Sequence, residues 1–333
     1  MNSILQCLIN SVPLTKYFLT STYRTDLNRE NPLGMHGEVA EEFATIVHAS
    51  WCGEYRYISP TDFKLTMSKF ADRFAGNSQH DSQELLMILL DGLHEDINRV
   101  KQKDYIEDDD TSHLPDEEAA NIAWDRHKRR NQSIIVELFQ GQFKSTLVCL
   151  TCNKRSVTFQ VFMNLSVPLP SHRSHCTLND CLELFSKAER VQGDNKWFCS
   201  KCKCYREAMK KLEIWKLPPV LLIHFKRFSG TGLYWQKADT AVNFPVNGLT
   251  LKNQTVGPKH RHYNLYAVSN HYGTLEGGHY TAFCQNPYAK EWYKFDDHIV
   301  SRISSNDVKT SSAYILFYTS LNIPPLKLKK FSS

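Results

Sequence analysis

Val220-Leu221-Leu222-Ile223-His224-Phe225-Lys226-Arg227-Phe228 follows the dipeptide Pro218-Pro219. A short run of branched and aromatic residues, preceded by prolines and followed by Ser229-Gly230, reads as a strand. The same reading extends to Val157-Thr158-Phe159-Gln160-Val161-Phe162, to Tyr263 through Val268, to Tyr280 through Cys284 and to Ala313 through Tyr318. All of these lie after residue 140. Before it the period changes: Leu85, Leu86, Leu89, Leu90, Leu93 and Ile97 recur at three- and four-residue intervals. That spacing predicts a helix entered near Ser78 as N-cap, with Asp81 at N3. A helical front half followed by a strand-rich back half argues an α+β fold, and the cleft between the halves is the default place for a site.

Composition narrows the function class. The 333 residues are 41% hydrophobic, 23% charged and 12% aromatic, enough for one elaborate or two ordinary domains and unlike a disordered, collagenous or coiled-coil chain. Forty Lys and Arg against thirty-five Asp and Glu give +5, thin for a nucleic-acid binder, whose charge is gathered on one face. The longest apolar run, around Val220, stops short of the roughly 18–20 residues of a membrane span, so no membrane insertion is expected. Met1 to Leu8 lacks the basic and apolar regions of a signal peptide. The expected compartment is therefore reducing, the cytoplasm or the nucleus. Eight acidic residues between Asp104 and Glu118, followed by Arg126-His127-Lys128-Arg129-Arg130, read as a solvated loop.

Ten cysteines in such a compartment suggest metal or thiol chemistry rather than disulfides. Cys149-Leu150-Thr151-Cys152 and Cys199-Ser200-Lys201-Cys202 are two C-x-x-C knuckles, 46 residues apart. Each knuckle converges two sulfurs, and two knuckles complete the closed tetrahedral shell of a structural Zn²⁺. Four sulfur ligands leave no open position for a metal-bound water, so no catalytic metal is expected. Cys204 competes as a ligand, but Cys202 keeps the two-residue spacer.

Gly277-Gly278-His279-Tyr280 sets a histidine at the head of a predicted strand, and Trp292-Tyr293-Lys294-Phe295-Asp296-Asp297 ends a second one in carboxylates. A histidine oriented by an acid is the general-base half of a nucleophilic triad.

These segments together, with Met1-Asn2-Ser3-Ile4-Leu5-Gln6-Cys7-Leu8, Gln79-His80-Asp81-Ser82-Gln83-Glu84-Leu85 and His224-Phe225-Lys226-Arg227-Phe228, resemble the catalytic domain of the ubiquitin-specific proteases. Those are papain-like cysteine hydrolases that cut after the C-terminal Gly-Gly of ubiquitin. Phe139 to Thr146 and Trp215 to Val220 are most similar to the endosome-associated member of that family. The resemblance implies a single domain over 1–320, with a helical thumb over about 1–140, fingers and palm over about 141–320, and a basic tail at 321–333. It implies ubiquitin and ubiquitinated proteins as partners and a structural zinc in the fingers. It assigns His279 as general base, Asp296 as its orienting acid and Asp297 to the oxyanion region. Asp81 meets a tail arginine, and Gln79, Gly277 and Gly278 line a channel narrow enough to select glycine.

The family's first box runs Gly-Asn-Thr-Cys, an aromatic, then Met-Asn-Ser. This sequence opens at that Met, which places the expected nucleophile two positions before Met1. Cys7 is eight residues further on, about 12 Å along a helix, too far to substitute within the roughly 3 Å a base requires. The polypeptide as it stands is expected to bind ubiquitin without cleaving it, either as part of a working enzyme or as a pseudo-deubiquitinase.

Overall fold

The computed structural model describes residues 1–322 apart from 77, 104, 106–110, 112, 232–233 and 275–276. The predicted tail from residue 323 onward, and much of the acidic stretch 104–112, lie outside these. Helices come first: α1 (Asn2–Ile9), α2 (Val12–Leu19), α3 (Tyr23–Asp26), α4 (Glu38–Trp51), α5 (Thr61–Phe70), α6 (Ser82–Asp96), α7 (Asp116–Arg130) and α8 (Ile134–Phe139). Strands take over with β1 (Gly141–Cys149), β2 (Arg155–Phe162), β3 (Asn164–Pro168) and β4 (His175–Thr177), followed by helix α9 (Leu178–Phe185). Then come β5 (Glu189–Val191), β6 (Trp197–Cys199), β7 (Cys204–Arg206), β8 (Ala208–Lys216), β9 (Val220–Lys226), β10 (Phe228–Thr231), β11 (Tyr234–Lys237), β12 (Ala241–Asn243) and β13 (Leu249–Thr250). The last are β14 (His262–Gly273), β15 (Gly278–Gln285), β16 (Trp292–Asp296), β17 (Ile299–Ile303) and β18 (Ala313–Thr319). The α+β reading and its hand-like plan hold.

The palm is a sheet in the order β17-β16-β15-β14-β18-β9-β3, and the fingers are a separate sheet, β2-β1-β8-β5, with the β6–β7 hairpin beside the second knuckle. Val220 to Ile223 form an unbroken apolar run in β9 because both faces of the strand are covered. Val220 and Leu222 pack toward the thumb helices, while Leu221, Ile223 and Phe225 pack in the second core on the opposite face. α6 contributes Leu85, Leu86, Leu89, Leu90 and Leu93, all buried, each worth about 1.5–3 kcal/mol in transfer from water. α1 is pinned to the palm through the Ser3 hydroxyl, 2.7 Å from Ser269 Oγ and donating to the Thr281 carbonyl at 3.0 Å.

Three local expectations are corrected. Asp81, not Ser78, caps α6: its carboxylate accepts the Gln83 N–H at 2.7 Å, and the helix begins at Ser82. The strand from Val220 stops at Lys226, because the Arg227 side chain turns into the interior, fully buried, and donates to the carbonyls of Ala313, Ala238 and Thr240 at 2.8–2.9 Å. Residues 116–130, including the basic run, are helix rather than loop. Asp116, Glu117 and Glu118 fall in its first turn and His127 to Arg130 in its last, the arrangement that complements a helix dipole, and Ala119 and Ala120 are its buried contacts.

Candidate active site

A cleft of about 320 Å³ opens where the start of α1 and the loop before α6 face the head of β15; Asn2, Gln79, Gly278, His279 and Asp297 are among its walls. Antiparallel pairing of β15 with β16 sets Ala282 opposite Phe295, which brings the ends of the two strands together. His279 Nε2 lies 2.6 Å from Asp296 Oδ1. An ionised carboxylate only accepts, so the imidazole donates through Nε2–H and keeps Nδ1 as its basic nitrogen. The other oxygen of Asp296 pairs with Lys294 Nζ at 2.8 Å. Hydrogen bonds from Lys294 first, and His279 second, hold the Asp296 carboxyl below its usual range. The acid therefore stays charged while it orients the ring.

Asp297 occupies the tight turn into β17 with φ +50°, a conformation Asp tolerates better than most residues. Its Oδ1 accepts from Asn2 Nδ2 at 3.0 Å, so the first helix and the last hairpin meet at one rim of the cleft. His279, Asp296 and Asp297 also place donor atoms within 4.8 Å of one another, but Lys294 and Asn2 already engage the two carboxylates.

On the opposite rim, Gly278 N–H donates to Gln79 Oε1 at 2.7 Å, a bridge from thumb to palm. Asp81 is not among the cleft's walls. One of its oxygens caps α6 and the other accepts from Tyr314 OH at 2.6 Å. Behind it, Tyr314, His224, His271 and Tyr280 form a ring cluster with centroids 4.6–6.2 Å apart. Burial lowers His224 and His271 to about 4 and raises Tyr280 to about 12, so these rings are neutral at neutral pH.

The two glycines differ. A Cβ on Gly277 meets nothing within 4 Å, whereas one on Gly278 collides with His271 Nε2 and comes 2.7 Å from the Tyr272 carbonyl oxygen. His271 is packed in the ring cluster and has no room to retreat. Gly278→Ala should therefore destabilise by about 1–3 kcal/mol through overpacking, while Gly277→Ala leaves the thermal midpoint where it was. Equal midpoints for the two variants would refute this.

Cys149, Cys152, Cys199 and Cys202 converge at the fingers, their sulfurs within 4.8 Å of one another, a set that could hold a metal ion. Both knuckles use one turn: Asn153 and Lys203 adopt φ +55° and return their N–H to the carbonyls of Cys149 and Cys199. Backbone N–H groups aim at sulfur, that of Cys152 first among those lowering the Cys149 thiol to about 6. The neighbouring sulfur of Cys152 pushes Cys202 up to about 12. Protons and thiolates are thus in conflict within the cluster, a conflict a dication resolves. Cys204 pairs with Cys199 across the β6–β7 hairpin and lies outside the cluster.

Sequence reasoning missed Lys294, Asn2 and Tyr314 as partners of the three carboxylates. Lys294 had a signal, since it shares a strand face with Asp296 two residues on. Asn2 and Tyr314 had none, being 295 and 233 residues from the groups they bind.

The sequence model of the family described as ubiquitin carboxyl-terminal hydrolase matches residues 1–318. "Ubiquitin carboxyl-terminal hydrolase 2" of Homo sapiens is 41% identical over 331 residues, 98% of this chain and 54% of its own length. The Drosophila melanogaster protein "Ubiquitin carboxyl-terminal hydrolase Usp2" is 38% identical over 322 residues, 96% of this chain and 33% of its own. The chain thus spans about half the length, or less, of these curated relatives. No endosomal placement follows from their names. Among solved structures, "Structure of the SAGA Ubp8/Sgf11/Sus1/Sgf73 DUB module bound to ubiquitin aldehyde" superposes with a TM-score of 0.72 at 27% identity, over 97% of this chain and 67% of the other.

Proposed function

Because this chain belongs to the ubiquitin carboxyl-terminal hydrolase family, we propose that its cleft receives the ubiquitin tail and that His279 activates a cysteine thiol to cut the bond after the terminal glycine. The observation that carries this reading is the 2.6 Å His279–Asp296 pair at a cleft bridged by Gln79 and Gly278. In the first step the thiol proton passes to His279 Nδ1 and sulfur attacks the glycine carbonyl. As the C–N bond breaks, the imidazolium returns that proton to the leaving amine. Water, deprotonated by the same ring, then hydrolyses the thioester. Asp296 holds the tautomer throughout, and the Asn2–Asp297 pair supports the side where negative charge develops on oxygen. Asp81 provides the carboxylate that attracts a tail arginine without lining the cleft itself. The bound ion of the fingers is Zn²⁺ in this reading, closed and structural, and residues 1–320 form one domain.

None of the ten cysteines lines the cleft: Cys7 and Cys284 are buried, and Cys149 belongs to the fingers. The 333-residue polypeptide should accordingly be retained on immobilised ubiquitin, pass through heparin, and release no product from a ubiquitin C-terminal amide. The same residues placed behind a Gly-Asn-Thr-Cys segment should turn that amide over. Turnover by the 333 residues alone, or failure to bind ubiquitin, would defeat the reading. If the endogenous protein begins at Met1, the binding half stands alone as a pseudo-deubiquitinase, which mass spectrometry of its N-terminal peptide decides.

A further inference from the structure

Asn2 faces two spaces. One is the cleft; the other is a groove of about 270 Å³ walled by Trp51, Tyr55, Arg56, Tyr57, Ile58 and Val300, with His298 at the turn. Strands β15, β16 and β17 lie side by side, so a path from Gly278 passes His279, then Asp296 and Asp297, and reaches His298 and Val300. The Gln79–Gly278 bridge is at one end of that path and the groove at the other.

We propose that this groove receives the acceptor segment of the conjugate, the stretch of protein bearing the modified lysine, and favours an apolar side chain accompanied by a carboxylate. The proposal rests on the tail-binding reading of the cleft. Cleavage leaves the acyl group on one side of the scissile carbon and the amine on the other. With the tail beneath the Gln79–Gly278 bridge, the amine and its chain emerge past Asp297. What they meet there includes four exposed apolar side chains in a lining that is otherwise mixed: Tyr55, Tyr57, Ile58 and Val300 are 61%, 73%, 37% and 55% exposed. Large apolar side chains gathered at one groove beside a reaction centre mark a recognition surface more than scattered exposure does. Charge sets the second preference. Arg56 is the groove's full charge, no carboxylate lines it, and Arg56 has no ion-pair partner among the described residues. A basic acceptor segment would meet repulsion, and an acidic one complementarity.

The test uses the thiol-bearing enzyme and ubiquitin carrying three leaving groups: a small fluorogenic amide, an isopeptide-linked lysine peptide flanked by Phe and Asp, and one flanked by Phe and Lys. Wild type should prefer the Asp peptide over the Lys peptide by about tenfold in kcat/KM. Arg56→Glu should reverse that order. Tyr57→Ser combined with Val300→Ser should raise KM for both peptides severalfold, with small-amide turnover within about twofold of wild type. Equal use of the two peptides by wild type, or a parallel loss on the small amide in the variants, overturns the proposal. A wild-type enzyme that leaves the small amide intact instead removes the tail-binding reading on which it stands.

Discussion

Replacing His279 with alanine in the thiol-bearing enzyme should lower kcat on a ubiquitin amide by about 10⁴-fold, roughly 5.5 kcal/mol of transition-state stabilisation. KM and retention on ubiquitin should change little, because the ring sits where bonds break rather than where the tail is held. Asp296→Asn, which keeps the size but loses the charge, should cost about 10³-fold or more by freeing the imidazole tautomer. Lys294 explains why this acid is dependable: its ammonium is the first cause of the lowered Asp296 ionisation range, ahead of His279. A depressed carboxyl stays ionised until the pH falls below its folded-state value. Any loss of activity just below neutrality therefore belongs to another group, and should persist in shape in Lys294→Met. A His279→Ala enzyme with near-normal kcat would remove the histidine from the chemistry altogether.

The second large effect is metal loss. Purified protein should carry about one zinc per chain, and Cys199→Ser should abolish it, since three sulfurs no longer close the shell. Structural zinc in small domains contributes on the order of 10 kcal/mol of folding free energy. Here that tie joins the β1 end to the β6–β7 hairpin, a pairing of only three residues per strand. The fingers should unfold on chelation while the helical thumb keeps its far-ultraviolet signal. Cys204→Ser, outside the sulfur cluster, should bind zinc normally. A metal-free wild type with intact fingers would sink the assignment.

Pattern reading succeeded where a segment's burial follows its own composition. The strands at Val157 to Phe162, Tyr280 to Cys284 and Ala313 to Tyr318, and the leucine stripe of α6, are of this kind. It failed where a partner far away sets the outcome. β14 runs on to Gly273 through Ser269, Asn270 and His271, polar residues that are nevertheless buried, because β15 and β18 pair with them on either side. Arg227 ends β9 by satisfying three carbonyls from two other segments. The charges of 116–130 looked like solvent-facing loop, yet their order suits the two ends of a helix. At the candidate site, the histidine and its acid were legible from residue type and strand ends. Asp81, expected to meet a tail arginine, is not on the cleft's wall: the cap of α6 and the Tyr314 hydroxyl hold its carboxylate, and neither appears in a local pattern.

The final strand, β18, is not at an edge of the palm. It lies between β14 and β9, and the first helix reaches strands more than 260 residues away. During synthesis, at roughly 5–20 residues per second, the thumb helices therefore leave the ribosome on the order of ten seconds before the middle of the sheet exists. Their palm-facing leucines and phenylalanines wait uncovered for that interval. Folding dominated by such distant contacts is slow, and the waiting half is a natural client for chaperones. A stop codon just before Ala313 would remove only a small part of the chain, but it would split the palm in two and leave β9 and β14 with open edges free to pair with other chains.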